Sequence, residues 1–159
     1  MSDITRSTVS IRFRGYDLDP LNLSTLLGCS PSSAAKRSEE LINSNGDIRV
    51  VKKGFWHLSY GDSDAIEIEE KIHLLLGKLT DDLNVWQMIT QSVKADLFFE
   101  LFLDGWNEGF ELSPATLKKL SDRNLKIGFD IYSPTDSWKM EDEAEVEIIE
   151  PQTTPTEVS

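Results

Sequence analysis

The sequence predicts an α+β domain. Two β-α-β pseudo-repeats share a mixed, mostly antiparallel sheet, with helices packed on it in a ferredoxin-like manner, and an acidic C-terminal tail follows. Three observations carry this. Residues 8–14, 95–103 and 125–132 alternate with the period of two expected of strands. Two helix starts share one plan: Leu18-Asp19-Pro20 continues to Leu23 and Leu26, and Leu112-Ser113-Pro114 continues to Leu117 and Leu120. Between the halves, Ile68, Ile72, Leu75, Leu76 and Leu79 follow a helical stripe.

In chain order, Val9, Ile11 and Phe13 point one way and Thr8, Ser10, Arg12 and Arg14 the other, giving a half-buried strand that Gly15 closes. Asp19 then caps a short helix, Pro20 fits its first turn, Leu23, Leu26 and Leu27 form its apolar face, and Gly28 stops it. Residues 29–47 are the least legible stretch. Ser30-Pro31-Ser32-Ser33 is turn chemistry, Glu39 to Asn43 suits one helical turn, and Asn45-Gly46-Asp47 marks a tight turn. Ile48–Val51 and Phe55–Tyr60 read as strands joined as a hairpin through Lys53-Gly54. Trp56, Leu58 and Tyr60 share one face of the second strand; Phe55, His57 and Ser59 share the other.

Asp62-Ser63-Asp64 is expected to cap the long helix, whose wet face carries Glu67, Glu69, Glu70 and Lys71. After a break near Thr80, a second helix from about Asp81 to Gln91 turns Val85, Met88 and Ile89 inward. Residues 95–103 form the most apolar run and read as a central strand covered on both faces. Asp104 to Gly109 is a loop. The second Pro-started helix turns Leu117 and Leu120 inward and stops at Asn124, before a last half-buried strand in which Leu125, Ile127, Phe129 and Ile131 face the core.

The net charge of −12 is unevenly placed. Residues 133–159 hold eight acids against Lys139 alone, a net of −7, which leaves −5 for residues 1–132. With Pro134, Pro151 and Pro155 in the same stretch, the expected organisation is a flexible N-terminus (1–6), one folded domain (7–133) and a solvated acidic tail (134–159). Val146, Ile148 and Ile149 sit among Glu145, Glu147 and Glu150. Composition favours reading them as scattered aliphatics; the other reading is a short strand on the parent sheet's edge or on a partner.

Several classes are excluded. Cys29 is the only cysteine, so there is no intramolecular disulfide and no Cys-rich zinc site. No apolar run spans a membrane, and the start of the chain has no signal-peptide core, so a cytoplasmic protein is expected. An acidic surface repels phosphate backbones, which disfavours nucleic acid. No phosphate loop, nucleophile elbow, His-Glu-x-x-His or Rossmann glycine pattern occurs.

Asp17-Leu18-Asp19-Pro20, Leu26-Leu27-Gly28, Lys53-Gly54-Phe55-Trp56-His57-Leu58, Gly109-Phe110-Glu111-Leu112-Ser113-Pro114 and the ending Asp130-Ile131-Tyr132 together resemble the DUF4279 family over about residues 8–133. That resemblance implies a small, mostly bacterial domain of unknown function and carries over no catalytic residues. The same motifs read from the bottom up as helix starts and stops.

Candidate sites are few. Glu69 and His73 share a helix face and read as a solvated ion pair rather than a metal site. Cys29, beyond a helix C-terminus, reads as inert. The Asp104–Glu108 loop has Trp106 where a calcium ligand would be needed. Trp106, in a Gly-flanked loop, is either folded onto the core or exposed as an anchor, and is the leading contact candidate, followed by Trp138 in the tail. The expected role is a non-enzymatic protein-interaction domain without cofactor or metal, its acidity suited to a basic partner in the manner of an immunity protein. The alternative is a small-molecule or enzymatic pocket where Asp17, Trp56 and His57 converge. Oligomeric state is not legible.

Overall fold

A computed structural model of the chain describes residues 2–4, 6–61, 66–134 and 146–148. In chain order the elements are β1 (Ser2–Asp3), β2 (Arg6–Gly15), α1 (Pro20–Leu27), β3 (Ser33–Ala35), β4 (Glu40–Ile42), β5 (Ile48–Val51), β6 (Gly54–Tyr60), α2 (Ile68–Gly77), α3 (Leu83–Ser92), β7 (Lys94–Phe102), β8 (Glu108–Gly109), α4 (Pro114–Asp122), β9 (Lys126–Tyr132) and β10 (Val146–Ile148).

The alternation of β2 sets the architecture. Val9, Ile11 and Phe13 are all fully buried, and β2 lies at the centre of a five-stranded sheet ordered β3-β6-β2-β7-β9. It pairs antiparallel with β6 (Phe13 opposite Trp56) and with β7 (Arg12 opposite Asp96); β9 runs parallel to β7. The sheet is therefore mixed and mostly antiparallel. Each half contains a strand, a Pro-started helix and a second strand, but β2 and β6 are antiparallel whereas β7 and β9 are parallel. All four helices contribute to one core cluster on the Val9–Ile11–Phe13 face. Phe13 sits between two buried indoles, 5.6 Å from Trp56 and 5.8 Å from Trp86. Side chains of this size each stabilise the fold by about 1.5–3 kcal/mol on burial. Two small sheets flank the large one, β1 with β8 and β4-β5-β10.

The helix punctuation follows the sequence. Asp19 Oδ1 accepts from Leu21 N at 3.1 Å, and Gly28 ends α1 at φ 73° with its N–H on Ser24 O. Ser113 Oγ accepts from Thr116 N at 3.2 Å, and Asn124 takes the left-handed stop at φ 54°. The break after α2 is pinned to α1, where Thr80 N donates to Leu27 O.

Several expectations are corrected. Glu39–Asn43 is not a helical turn: β4 pairs with β5, and Leu41 packs on Val51 and Phe55, so pairing overrides local propensity. Ile48–Val51 and Phe55–Tyr60 do not form a hairpin together. The Asn-Gly turn closes β4 on β5 instead, with Asn43 Oδ1 accepting from Asn45 N and Asp47 N and with Gly46 at φ 83°. Edge strand β3 had no clear signal. The expected cap Asp62-Ser63-Asp64 lies outside the described residues; α2 starts later, at Ile68, after Glu67.

Met88 is 50% exposed, because Trp86 takes the inward position and its Nε1 donates to Thr80 O at 2.8 Å. Leu117 is likewise exposed while Thr116 is fully buried, its hydroxyl engaged by Glu69. Phe129 and Ile131 remain 48% and 62% exposed, since β9 is an edge strand with a neighbour on one side only. Ser2–Asp3 pair with Glu108–Gly109, and Val146–Ile148 lie antiparallel to β5; residues 135–145 and 149–159 fall outside the described part.

Candidate functional site

With the helices gathered on one side, the opposite face of the five-stranded sheet carries no helix among the described residues. Its floor comes from the residues that alternate with the core. From β2 these are Ser10, Arg12 and Arg14; opposite them on β6 are Ser59, His57 and Phe55, and on β7 Phe98, Asp96 and Lys94. The small β4-β5 sheet closes one corner through Phe55, Ala35 and Val51.

This face is organised around Arg12. Its Nε and one terminal nitrogen donate to the two oxygens of Asp96 at 2.8 and 2.7 Å, a bidentate pair with side chains only 16% and 22% exposed. The guanidinium lies 3.7 Å from the centroid of the Phe98 ring, close enough for a cation–π contact. Ser10 and Ser59 hydroxyls bond each other at 2.8 Å. Further along, Arg6 lies over the buried Phe102, which stacks on Tyr132 at 5.0 Å. By register, five cations (Arg6, Arg12, Arg14, Lys94, Lys126) share this face with three carboxylates (Asp96, Glu100, Asp130). It is thus a positive-leaning surface on a chain of net charge −12.

Burial and the neighbouring arginines tune the titratable groups here. His57 is pushed down from 6.5 to about 4, chiefly by desolvation, then by Arg14 and Arg12, with Asp96 opposing. It is a neutral imidazole at pH 7, beside the Phe55 ring at 5.0 Å. Arg14 is lowered by burial first and by Arg12 second. The two hydroxyls bond each other, and Arg12 is engaged by Asp96. No group of three or more His, Cys, Asp or Glu side chains among the described residues is placed to hold a metal ion.

The sequence candidates are dispersed. Trp56 is fully buried on the helical side, where Nε1 donates to Ser24 Oγ at 2.9 Å; its neighbour His57 points to the opposite face. Asp17 is exposed in the turn between β2 and α1. The three therefore do not line a common pocket. Trp106 is 91% exposed and is not folded onto the core. Trp138 lies outside the described residues. Cys29 packs against the core margin and its thiol contacts Ser30 O.

Glu69 is held by hydrogen bonds and meets His73 through Thr116 rather than in the expected direct ion pair. It accepts from Ser113 N at 2.7 Å and Thr116 Oγ1 at 2.5 Å, and Thr116 Oγ1 also lies 3.1 Å from His73 Nε2. These bonds push Glu69 down to about 2 and fasten α2 to the start of α4. The Arg12–Asp96–Phe98 cluster was missed as a site. Its signal was the polar half of the β2 alternation, which reads equally as a plain wet face.

The geometry defines an α+β domain with a helix-covered core on one side of its sheet and a polar, aromatic face on the other. The chain belongs to the DUF4279 family, a domain of unknown function, whose model matches residues 5–134. No curated protein and no solved structure matches it. No helix among the described residues is long and apolar enough to cross a membrane.

Proposed function

We propose that the chain is a non-enzymatic protein-binding domain whose contact surface is centred on Trp106 and takes a basic partner, an immunity-type protein being one form of that role. The observation that carries this reading is a 91% exposed indole on a pinned loop. Glu108 Oε2 accepts from Asp104 N at 2.7 Å and Gly105 N at 3.2 Å, which fixes the backbone just before Trp106. An anchor held in place loses little further entropy on binding. The loop leaves β7 beside the end of β9, where Leu103 N donates to Tyr132 O, and β9 contributes the exposed Phe129 and Ile131. Asp104 on the loop and Glu111 just beyond β8 are exposed and favour encounter with a basic surface. The alternative pocket of Asp17, Trp56 and His57 is not carried forward, because those side chains diverge.

The test is affinity capture from the native host at low and high salt, with wild type and Trp106→Ala compared. A partner retained by wild type should be lost from the variant by about thirtyfold in affinity, the size of a typical anchor loss. An unchanged capture profile, or no partner at low salt, overturns the reading.

A further inference from the structure

We infer that a cleft at the opposite end of the sheet, beside Gly15, binds a small multivalent anion carrying phosphoryl or carboxylate groups. Three separate stretches meet there: the turn from β2 to α1, the connection into β6 and the junction of α3 with β7. They enclose about 650 Å³, within the range of small-molecule sites. Arg14, Lys53 and Lys94 line it, against the single carboxylate of Asp17. Among the described residues, neither Lys53 nor Lys94 makes an ion pair.

The charge balance decides the ligand's sign. Lys53 and Lys94 in the lining and Arg37 at the rim bring three positive charges against the Asp17 carboxylate and the C-terminus of α3, which contributes about half a negative charge. The residue is positive, in a chain that is otherwise strongly acidic. Tyr16 adds to it: the Arg37 guanidinium lies 5.2 Å and the Lys53 ammonium 5.4 Å from its ring centroid, so the ring gathers two cations at the rim. A monovalent anion would leave part of this charge unmatched; two or more charges on one small ligand would match it. The Arg fork and the lysine ammoniums suit phosphoryl and carboxylate oxygens alike, and Tyr16 and Gln91 supply neutral donors. A bound anion would offset the like-charge repulsion that Arg12 exerts on Arg14.

The experiment is an amide-resolved NMR titration of the full chain with pyrophosphate and, separately, citrate, at constant ionic strength of about 0.15 M. Expected are saturable shifts confined to Gly15–Asp17, Lys53 and Gln91–Lys94, with dissociation constants of about 1 mM or tighter. The tighter of the two probes identifies whether phosphoryl or carboxylate is the natural group. The double variant Lys53→Gln/Lys94→Gln changes two exposed side chains and should weaken binding by about tenfold or more, roughly threefold or more per cation. Lys118→Gln, on α4, should bind as wild type does. Shifts that never saturate, shifts spread equally over Lys118 and Lys119, or undiminished binding by the double variant overturn the inference. Trp106→Ala should leave this binding unchanged, so the outcome is separable from that of the proposed protein contact.

Discussion

Lowering the pH from 7 to 4.5 should destabilise the domain through His57 in a way that a non-titrating residue at the same position does not reproduce. The imidazole is pushed from 6.5 to about 4 in the fold, by desolvation above all and then by Arg14 and Arg12. A folded pKa below the unfolded one means that the unfolded chain binds more protons between those two values. Stability contributed by the neutral ring is therefore complete above pH 6.5, falls through the window from 6.5 to 4, and is gone below it. Each pKa unit corresponds to about 1.4 kcal/mol, so the full window amounts to about 3 kcal/mol, reduced to about 2 kcal/mol because the side chain keeps some contact with solvent. The assay is urea unfolding of wild type and His57→Gln at several pH values. Subtracting the curves removes the carboxylates that titrate in both proteins. With a slope of about 1–3 kcal/mol per molar, the difference in midpoint should change by about 1 M between pH 7 and 4.5. Ring-proton NMR provides the direct check. An imidazole titrating near 6.5, or two stability curves that stay parallel, would refute the placement of His57 in a desolvated, cationic setting.

Two further outcomes follow from the same geometry. A double-mutant cycle of Arg12→Ala and Asp96→Ala should give a coupling of about 1–2 kcal/mol in unfolding experiments, because the pair is bidentate and mostly shielded; a coupling near zero would make it an ordinary surface ion pair. Glu69, held at about 2 by Thr116 and Ser113, contributes stability that is present above pH 4.5 and lost as the pH falls towards 2. Glu69→Gln should flatten the acid limb of the stability curve in that window, a different window from that of His57, and superimposable wild-type and variant limbs would count against the latch between α2 and α4.

What was legible in the sequence divides along a physical line. Features fixed by a few neighbouring residues are legible: the caps at Asp19 and Ser113, the left-handed stops at Gly28 and Asn124, the turn at Asn45-Gly46 and the apolar stripe of α2, although Lys71, expected on the wet face of α2, is fully buried and donates to Ser7 O. Features fixed by partners far along the chain were not. The Asn-Gly turn was seen, but which strands it joins depends on Leu41 meeting Val51 and Phe55. Apolar spacing runs the stripe of α3 through Met88, because spacing alone cannot show that Thr80 O accepts the indole N–H of Trp86. Leu117 lost its expected place to Thr116 for the same kind of reason, since a hydroxyl satisfied by Glu69 is cheap to bury. The candidate site was less legible still. Asp96 and Phe98 lie 84 and 86 positions beyond Arg12 and meet it only through the β2–β7 register, so nothing local marks the three as a cluster.

The family motifs and the candidate surfaces overlap only in part: Asp17, Lys53, Phe55 and His57 belong to both. Asp17 to Pro20, Leu26 to Gly28 and Leu112 to Pro114 start and stop helices. Trp56 is core. Gly54 has its own reason: a Cβ there would lie 3.0 Å from Leu18 O and 3.1 Å from Gly15 O, so only glycine lets β6 start against the turn that launches α1. These signatures hold the β2 turn, the start of β6 and the two short helices in one arrangement. The side chains with unmet potential are Trp106 on its pinned loop and Lys53 and Lys94 at the cleft, and of these only Lys53 falls within a family motif. If the domain's role resides in those side chains, proteins sharing the motifs share a scaffold and differ in what they bind. Grafting follows as the decisive comparison: exchanging the Asp104–Glu108 loop between two DUF4279 domains should transfer partner choice while leaving unfolding stability within about 1 kcal/mol, as expected for surface changes away from caps and core. Partner choice that stays with the scaffold would place recognition in the motifs after all.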